Sequence, residues 1–347
     1  MIQIIGNNRF LIIFFIPFIL GSVSTLSFQP FNLTVVNFVT IPILFLILSY
    51  VNKRSKSIYR KKPRLKNLFY IGCLFGFGFF LSGNYWISYS LTFDDSFKYL
   101  IPISLFLLPL LLSLFFGVAT AVVGPFIKNN FSSILLFSAI FSLTDFLRAK
   151  IFTGFPWNLW AYSWSWFADI LQILNPIGIF AFNLIIITLF CFPAILFFDK
   201  YKHKLLYLLV FFLIFLALFI YGSYSINKVI IQTKPIKTIN IKIISPNFSI
   251  KNNLLNNDLE KMFNKLIKYS EPENSKKTIF IWPEGVFTGF YLHELKKFKK
   301  IIKNKFSEDH LIIFGANTQD IKKQSFFNSL VVINNNFDVV YKYNKQK

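Results

Sequence analysis

Apolar residues run almost unbroken through the first two thirds of this chain and then give way to short alternating patterns. Seven stretches, at about 9–28, 31–51, 68–90, 98–124, 132–148, 172–198 and 205–222, are apolar over the roughly 17–25 residues that a helix needs to cross a hydrocarbon core. The first lacks a strongly basic start and a clean small-residue cleavage site, and it runs directly into the second. It therefore reads as a retained helix rather than a cleaved leader. From about Ile236 the period changes. Lys237–Ser245 alternates apolar and polar residues as a strand does, and Leu254, Leu255, Leu259, Met262, Phe263, Leu266 and Ile267 recur at helical spacing. Thr278–Trp282 predicts a short buried strand. Leu292, Leu295, Phe298, Ile301 and Ile302 mark a second amphipathic helix, and Leu311–Gly315, Phe326–Ile333 and Val339–Tyr343 complete a strand series. The pattern predicts a polytopic α-helical membrane domain over 1–225 and an α/β layered domain over 226–347.

Composition sharpens the first part of that reading. Hydrophobic residues make up 54% of the 347, aromatics 20% and charged residues 15%, with a mean hydropathy of +0.54. Soluble domains carry about 25% charged residues, so the balance is that of an integral membrane protein. The net charge of +22 raises nucleic-acid binding as a class. Its distribution excludes that class: the basic residues sit in short loops or on helix faces, without aromatic interleaving. The lysines of the last third read as a solvated face, one that anionic lipid would attract.

Loop charge sets an orientation. With a cytoplasmic N-terminus, thirteen basic residues face inside: Arg9, the eight in 53–66, Lys128, Lys200, Lys202 and Lys204. Three face outside, Lys98, Arg148 and Lys150, beside Asp94, Asp95 and Asp169. The positive-inside rule then puts everything after about residue 223 on the outer face.

Candidate chemistry is sparse. Cys73 and Cys191 lie inside apolar spans as small buried hydrophobes. His203, His293 and His310 have no metal-ligand spacing, so neither a metal nor a cofactor is called for. Asp145 and Arg148, one helical turn apart near the end of the fifth span, can neutralise each other or contact substrate; the ion pair is favoured. After that span, Thr153-Gly154-Phe155-Pro156-Trp157-Asn158 leads to Tyr162-Ser163-Trp164-Ser165-Trp166. Such a run is either an interfacial aromatic belt or, because Gly-Phe-Pro-Trp is stiff and non-helical, the wall of a lipid-accessible groove. Glu284 follows the strand Thr278–Trp282 directly, in Trp282-Pro283-Glu284-Gly285. It is either a turn residue or a catalytic carboxylate at a strand end.

In order along the chain, these motifs resemble those of the bacterial apolipoprotein N-acyltransferases. Gly21-Ser22 through Leu26-Ser27-Phe28-Gln29-Pro30-Phe31 is similar to that family's first-span ending, and Phe75-Gly76-Phe77-Gly78-Phe79-Phe80 with Gly83-Asn84-Tyr85-Trp86-Ile87 to its third span. Thr153-Gly154-Phe155-Pro156-Trp157-Asn158 with Tyr162-Ser163 resembles its interfacial signature. Pro246-Asn247, Trp282-Pro283-Glu284, Phe327-Asn328-Ser329 and Tyr343-Asn344-Lys345 resemble motifs of its outer domain. The resemblance covers nearly the whole chain and implies a nitrilase-type α-β-β-α outer domain on the periplasmic side of the bacterial inner membrane. It implies transfer of an acyl chain from a phospholipid, through a cysteine thioester, to the amine of a diacylglyceryl-cysteine lipoprotein, by a monomer.

On that resemblance Glu284 corresponds to the general base and Lys345 to the oxyanion-stabilising lysine. Phe155, Pro156, Trp157, Tyr162 and Trp282 correspond to substrate contacts. The family's nucleophilic cysteine lies downstream of that lysine, and this chain ends two residues after Lys345. The nucleophile is thus expected to be absent from these residues, the chain to be a fragment or truncated product, and its outer domain to be labile. The tryptophan often found after the Pro-Asn motif is also missing. Two other readings stand beside the acyltransferase: a membrane-tethered amidase or nitrilase acting on a soluble substrate, and an inactive membrane scaffold.

Overall fold

The structure is a computed structural model that describes residues 10–54, 61–152, 154–198, 204–232, 238–248, 256–287, 289–320 and 325–345. Arg9, part of the basic loop 53–66, Thr153, Lys200, Lys202, Leu254 and Leu255 lie outside the described residues. The chain divides into two compact units, Met1–Thr233 and Lys234–Lys347.

Among the described residues, the first unit is built on seven long apolar helices, α1 (Leu11–Ser27), α2 (Asn37–Arg54), α3 (Lys61–Asn84), α4 (Ile101–Val123), α5 (Phe131–Lys150), α6 (Leu174–Cys191) and α7 (Lys204–Gln232), with a short helix Ala168–Leu171 before α6. Six of the helical segments are long and apolar enough to cross a membrane; α1 is the shorter one. Lipid offers no water to separate apolar faces, so these helices associate by close packing, which small residues permit. At Gly21 of α1 and Gly78 of α3 the backbones touch: a Cβ on either would collide with a carbonyl of the other helix, Phe75 O and Phe18 O respectively. Behind that seam lies an aromatic core. Phe75, Phe79, Phe80, Phe116, Phe137, Phe141, Phe182 and Phe190 are all fully buried. Within α6, Gly178 has φ 74° and ψ 171°, which breaks the helix after its first turn.

Among the described residues, the second unit is built on a five-stranded mixed sheet. Its strands are β1 (Asn240–Ile243), β2 (Thr278–Ile281), β3 (His310–Asp320), β4 (Ser325–Ile333) and β5 (Val339–Asn344), in that spatial order. The first three are parallel, and β4 and β5 return antiparallel. Parallel neighbours need crossovers: α8 (Asn256–Ser270) joins β1 to β2, and α9 (Leu292–Leu295) with α10 (Lys299–Lys305) joins β2 to β3. Right-handed crossovers that advance in one direction put their helices on one face of the sheet. That face is sealed by Leu259, Phe263, Leu266, Leu295, Phe298 and Ile302 packing on Phe280, Ile312, Phe314 and Val331. The other face carries Ile241, Ile243, Leu330, Tyr341 and Tyr343, all exposed. β3 runs longer than the expected Leu311–Gly315, because Ala316–Asp320 pair with Ser325–Ser329 in a hairpin that apolar alternation does not announce.

Candidate active site

Glu284 lies three residues past β2, where Trp282 still donates its N–H to Ile313 O at 2.8 Å and Gly285 turns the chain with φ 68°. Only a residue free of a Cβ takes that φ cheaply. The turn lays Glu284 across β3 at Gly315. A Cβ built on Gly315 would stand 3.2 Å from Gly285 N, 3.5 Å from Glu284 Cα and 3.6 Å from Glu284 Cγ. The carboxylate therefore rides on the open face of the sheet, exposed, over the one residue of β3 that leaves it room.

Lys345 follows β5 and extends its ladder by donating its N–H to Asn328 O at 2.9 Å. Gly315 pairs with Leu330, and Leu330 pairs with Tyr343. Side chains alternate along a strand, so Tyr343 and Lys345 share the face of Gly315 and of Glu284. The two ionisable residues are separated by two strand spacings, about 10 Å, across the sheet and by about 7 Å along it. On the opposite face, Thr318 Oγ1 and Ser329 Oγ meet at 2.7 Å and Ser329 Oγ donates to Asn344 Oδ1 at 2.8 Å, which fixes the register of the strands that carry Lys345.

Trp282 does not share that face. With Phe280 it alternates into the helix-covered core, where it is 2% exposed and donates Nε1–H to Ser270 Oγ at 3.0 Å. Its ring packs against Phe263, Phe314 and Phe287. Two residues escaped the sequence reading: Gly315, and Ser270 as the partner of the indole. An isolated glycine inside the strand Leu311–Ala316 was the available signal for close backbone approach.

Phe155, Pro156, Trp157 and Tyr162 belong to the first unit. Gly154 (φ 77°) and Asn158 (φ 57°) bracket a non-helical stretch in which Pro156 and Trp157 are exposed and Phe155 is half-buried. The Trp157 indole stacks on Trp86, with centroids 4.8 Å apart and planes within 14°, and Gly83 packs against the Asn158 amide. Tyr162 is exposed at one edge of the same stretch; partial desolvation pushes its phenol up, and the Arg148 charge works the other way. The expected ion pair forms: Arg148 Nη2 bonds Asp145 Oδ1 at 2.9 Å, with both side chains fully buried. Cys73 lies within α3, and Cys191 ends α6, fully buried; both belong to the first unit.

Comparison with known proteins places these features. Residues 20–192 match the family model described as the apolipoprotein N-acyltransferase N-terminal domain. The apolipoprotein N-acyltransferase of Brucella suis biovar 1 is 26% identical over 337 residues, covering 93% of this chain and 62% of the relative. That of Rickettsia prowazekii is 27% identical over 333 residues, with 94% and 63% covered. That of Rickettsia bellii is 32% identical over 284 residues, with 79% and 55% covered. The chain thus spans about 62% of the length of the first of these relatives. With its membrane unit matched by the family model and the alignments running on through the sheet, this chain belongs to the apolipoprotein N-acyltransferase family.

Proposed function

We propose that this protein takes part in lipoprotein N-acylation in the bacterial inner membrane, with the second unit on the periplasmic side. A phospholipid supplies the acyl chain and the amine of a diacylglyceryl-cysteine lipoprotein receives it. In the first half-reaction a thiolate attacks the phospholipid ester carbonyl, and the lysophospholipid oxygen leaves with a proton. In the second the amine attacks the thioester, the C–N bond forms, and the sulfur leaves as thiol. Each half passes through a tetrahedral oxyanion, and each needs one proton moved off a nucleophile.

Two residues of this chain fit those needs. Glu284 is the base that takes the thiol proton and later the amine proton. Lys345 is the cation that stabilises the oxyanion. The observation that carries this reading is their shared position on the open sheet face, with Gly315 leaving space for the carboxylate. A thiol of ordinary pKa about 8.5 is mostly protonated at neutral pH, so a base beside it is a functional requirement. Neither Cys73 nor Cys191 is assigned to the thiol step, since both pack within helices of the first unit. Trp282 is assigned a supporting role beneath the Glu284 turn rather than contact with substrate. The Phe155–Tyr162 stretch, through its exposed Pro156, Trp157 and Tyr162, is assigned to the acyl donor as an apolar, rigid wall. The protein acts as a monomer.

The test is transfer of labelled acyl chain from phospholipid to the full-length protein as a hydroxylamine-sensitive thioester. Glu284→Gln abolishes thioester formation while membrane insertion is unchanged. Thioester at the unaltered level in that variant removes Glu284 from the mechanism.

A further inference from the structure

The Asp145–Arg148 pair does more than cancel charge. Arg148 Nη2 reaches Asp145, and Nη1 donates to two backbone carbonyls, Phe155 O and Trp157 O, each at 2.7 Å. Asp145 uses its second oxygen to accept from Asn183 Nδ2 at 2.9 Å, and Asn183 Oδ1 accepts the N–H of Ala161 at 3.0 Å. Three buried side chains on α5 and α6 therefore hold three backbone points of one segment: Phe155 O, Trp157 O and Ala161 N. The guanidinium also lies over the Phe80 ring of α3, at 5.1 Å.

A pair kept only for neutrality needs one contact between its members. The second Nη of this arginine is committed instead to carbonyls that no helix or sheet satisfies. Non-helical backbone at interfacial depth persists only where something satisfies it. Arginine suits the task because its planar fork presents donors on two edges in fixed directions, which an ammonium group does not. The segment needs outside support, because Asn158 holds a left-handed φ of 57°. Directly between the two clamped ends stands Trp157, stacked on Trp86.

We propose that Arg148, assisted by Asp145 and Asn183, is the positioning residue of the 155–161 segment and sets the Trp86–Trp157 stack that forms the donor wall. The clamp stands on geometry alone; only the identity of what touches the wall rests on the acyl-transfer reading.

The decisive experiment removes charge and clamp separately, in the full chain held in lipid nanodiscs. The readout is the near-UV circular dichroism couplet of the stacked indoles, identified by its loss in Trp86→Phe. The double variant Asp145→Leu/Arg148→Met has no unpaired charge but no donor for the two carbonyls. Its couplet should fall at least several-fold while far-UV helicity is kept; a retained couplet reduces the pair to charge balance and overturns the proposal. Arg148→Lys keeps the charges and loses the fork. It should lose the couplet as well, and it carries the test should the double variant not insert, with a retained couplet again the overturning result. A parallel arm uses phosphatidylethanolamine bearing a diazirine in its acyl chain. Labelling of residues 155–166 that falls with the couplet supports both readings. A lost couplet with unchanged labelling supports the clamp and counts against the donor wall.

Discussion

Glu284 and Gly315 act as a unit at the scale of single residues. The glycine's missing Cβ leaves the carboxylate its place, since the nearest atoms to that Cβ would be Gly285 N at 3.2 Å and Glu284 Cα at 3.5 Å. Gly315→Ala forces the Glu284 turn outward by a few tenths of an ångström without opening the sheet. Misplacement near 1 Å costs catalysis on the order of 10²-fold, so the smaller shift predicts a loss of roughly tenfold in thioester formation. Unchanged thermal unfolding of the second unit would accompany it, and an unaltered rate would detach Gly315 from the site. Trp282 belongs to a different argument. Its sequence neighbourhood suggested substrate, but Phe280 and Trp282 share parity along β2, and parity decides the face. With its indole N–H donated to Ser270 Oγ and Phe263 and Phe314 against its ring, Trp282→Ala should destabilise the second unit by about 3–5 kcal/mol. Denaturant titration followed by amide exchange over β2 and β3 measures that directly. Glu284 was legible because an acid directly after an apolar strand stands out. The face of Trp282 is legible too: Thr278–Trp282 reads as one strand, and period two puts Trp282 on the side of Phe280.

Elements were more legible than residues, because long apolar runs and clean alternation leave few choices. What escaped was structure that neighbours impose. Ala316–Asp320 has no apolar alternation, yet it is strand because β4 folds back on it. The kink in α6 follows from one backbone angle at Gly178. The attachment of α7 is likewise set by a neighbour. At Gly222 the helix meets the carbonyl of Asp169, in the short helix Ala168–Leu171, and a Cβ there would collide with it. One residue on, Ser223 Oγ donates to Asp169 Oδ1 at 2.7 Å. Further along, Phe215 packs on Trp164 and Phe211 on Phe192, so α7 is pinned along one stripe. Gly222→Val overpacks the end of that stripe and should cost about 1–3 kcal/mol, read by unfolding the first unit in a denaturing detergent series. Ser223→Ala, which removes one hydrogen bond and adds no bulk, should cost about 1 kcal/mol or less in the same series. Equal effects of the two variants would mean that the hydrogen bond, not the close approach, holds the helix.

For the whole molecule, the loop charges make a claim about sidedness that can be tested at three exposed positions. Cys73 and Cys191 are the only cysteines in these 347 residues, so Cys73→Ser/Cys191→Ser in this chain leaves a silent background for single probes. Lys98 stands before α4, exposed and bridged to Asp95; Lys128 stands between α4 and α5, exposed; Ile241 lies on the open face of the sheet. One apolar helix, α4, separates Lys98 from Lys128, so probes there must label from opposite sides if it crosses. Four helices, α4 to α7, separate Lys98 from Ile241, so those two must label from the same side if all four cross. With the positive loops inside, a membrane-impermeant maleimide added to spheroplasts should modify Lys98→Cys and Ile241→Cys and reach Lys128→Cys only after lysis. The reverse labelling would put the second unit in the cytoplasm and withdraw a periplasmic acceptor from the reach of Glu284. Labelling of Lys98→Cys without Ile241→Cys would mean that an odd number of the last four helices crosses. Suspicion would then fall on α7, whose apolar surface is the least covered of the spanning helices: 6% of its most apolar window is buried, against 44–61% in the other five. Protein contacts hold α7 along one stripe only and leave most of its apolar surface uncovered. Its crossing is therefore the step on which the placement of Glu284 and Lys345 at the outer surface depends.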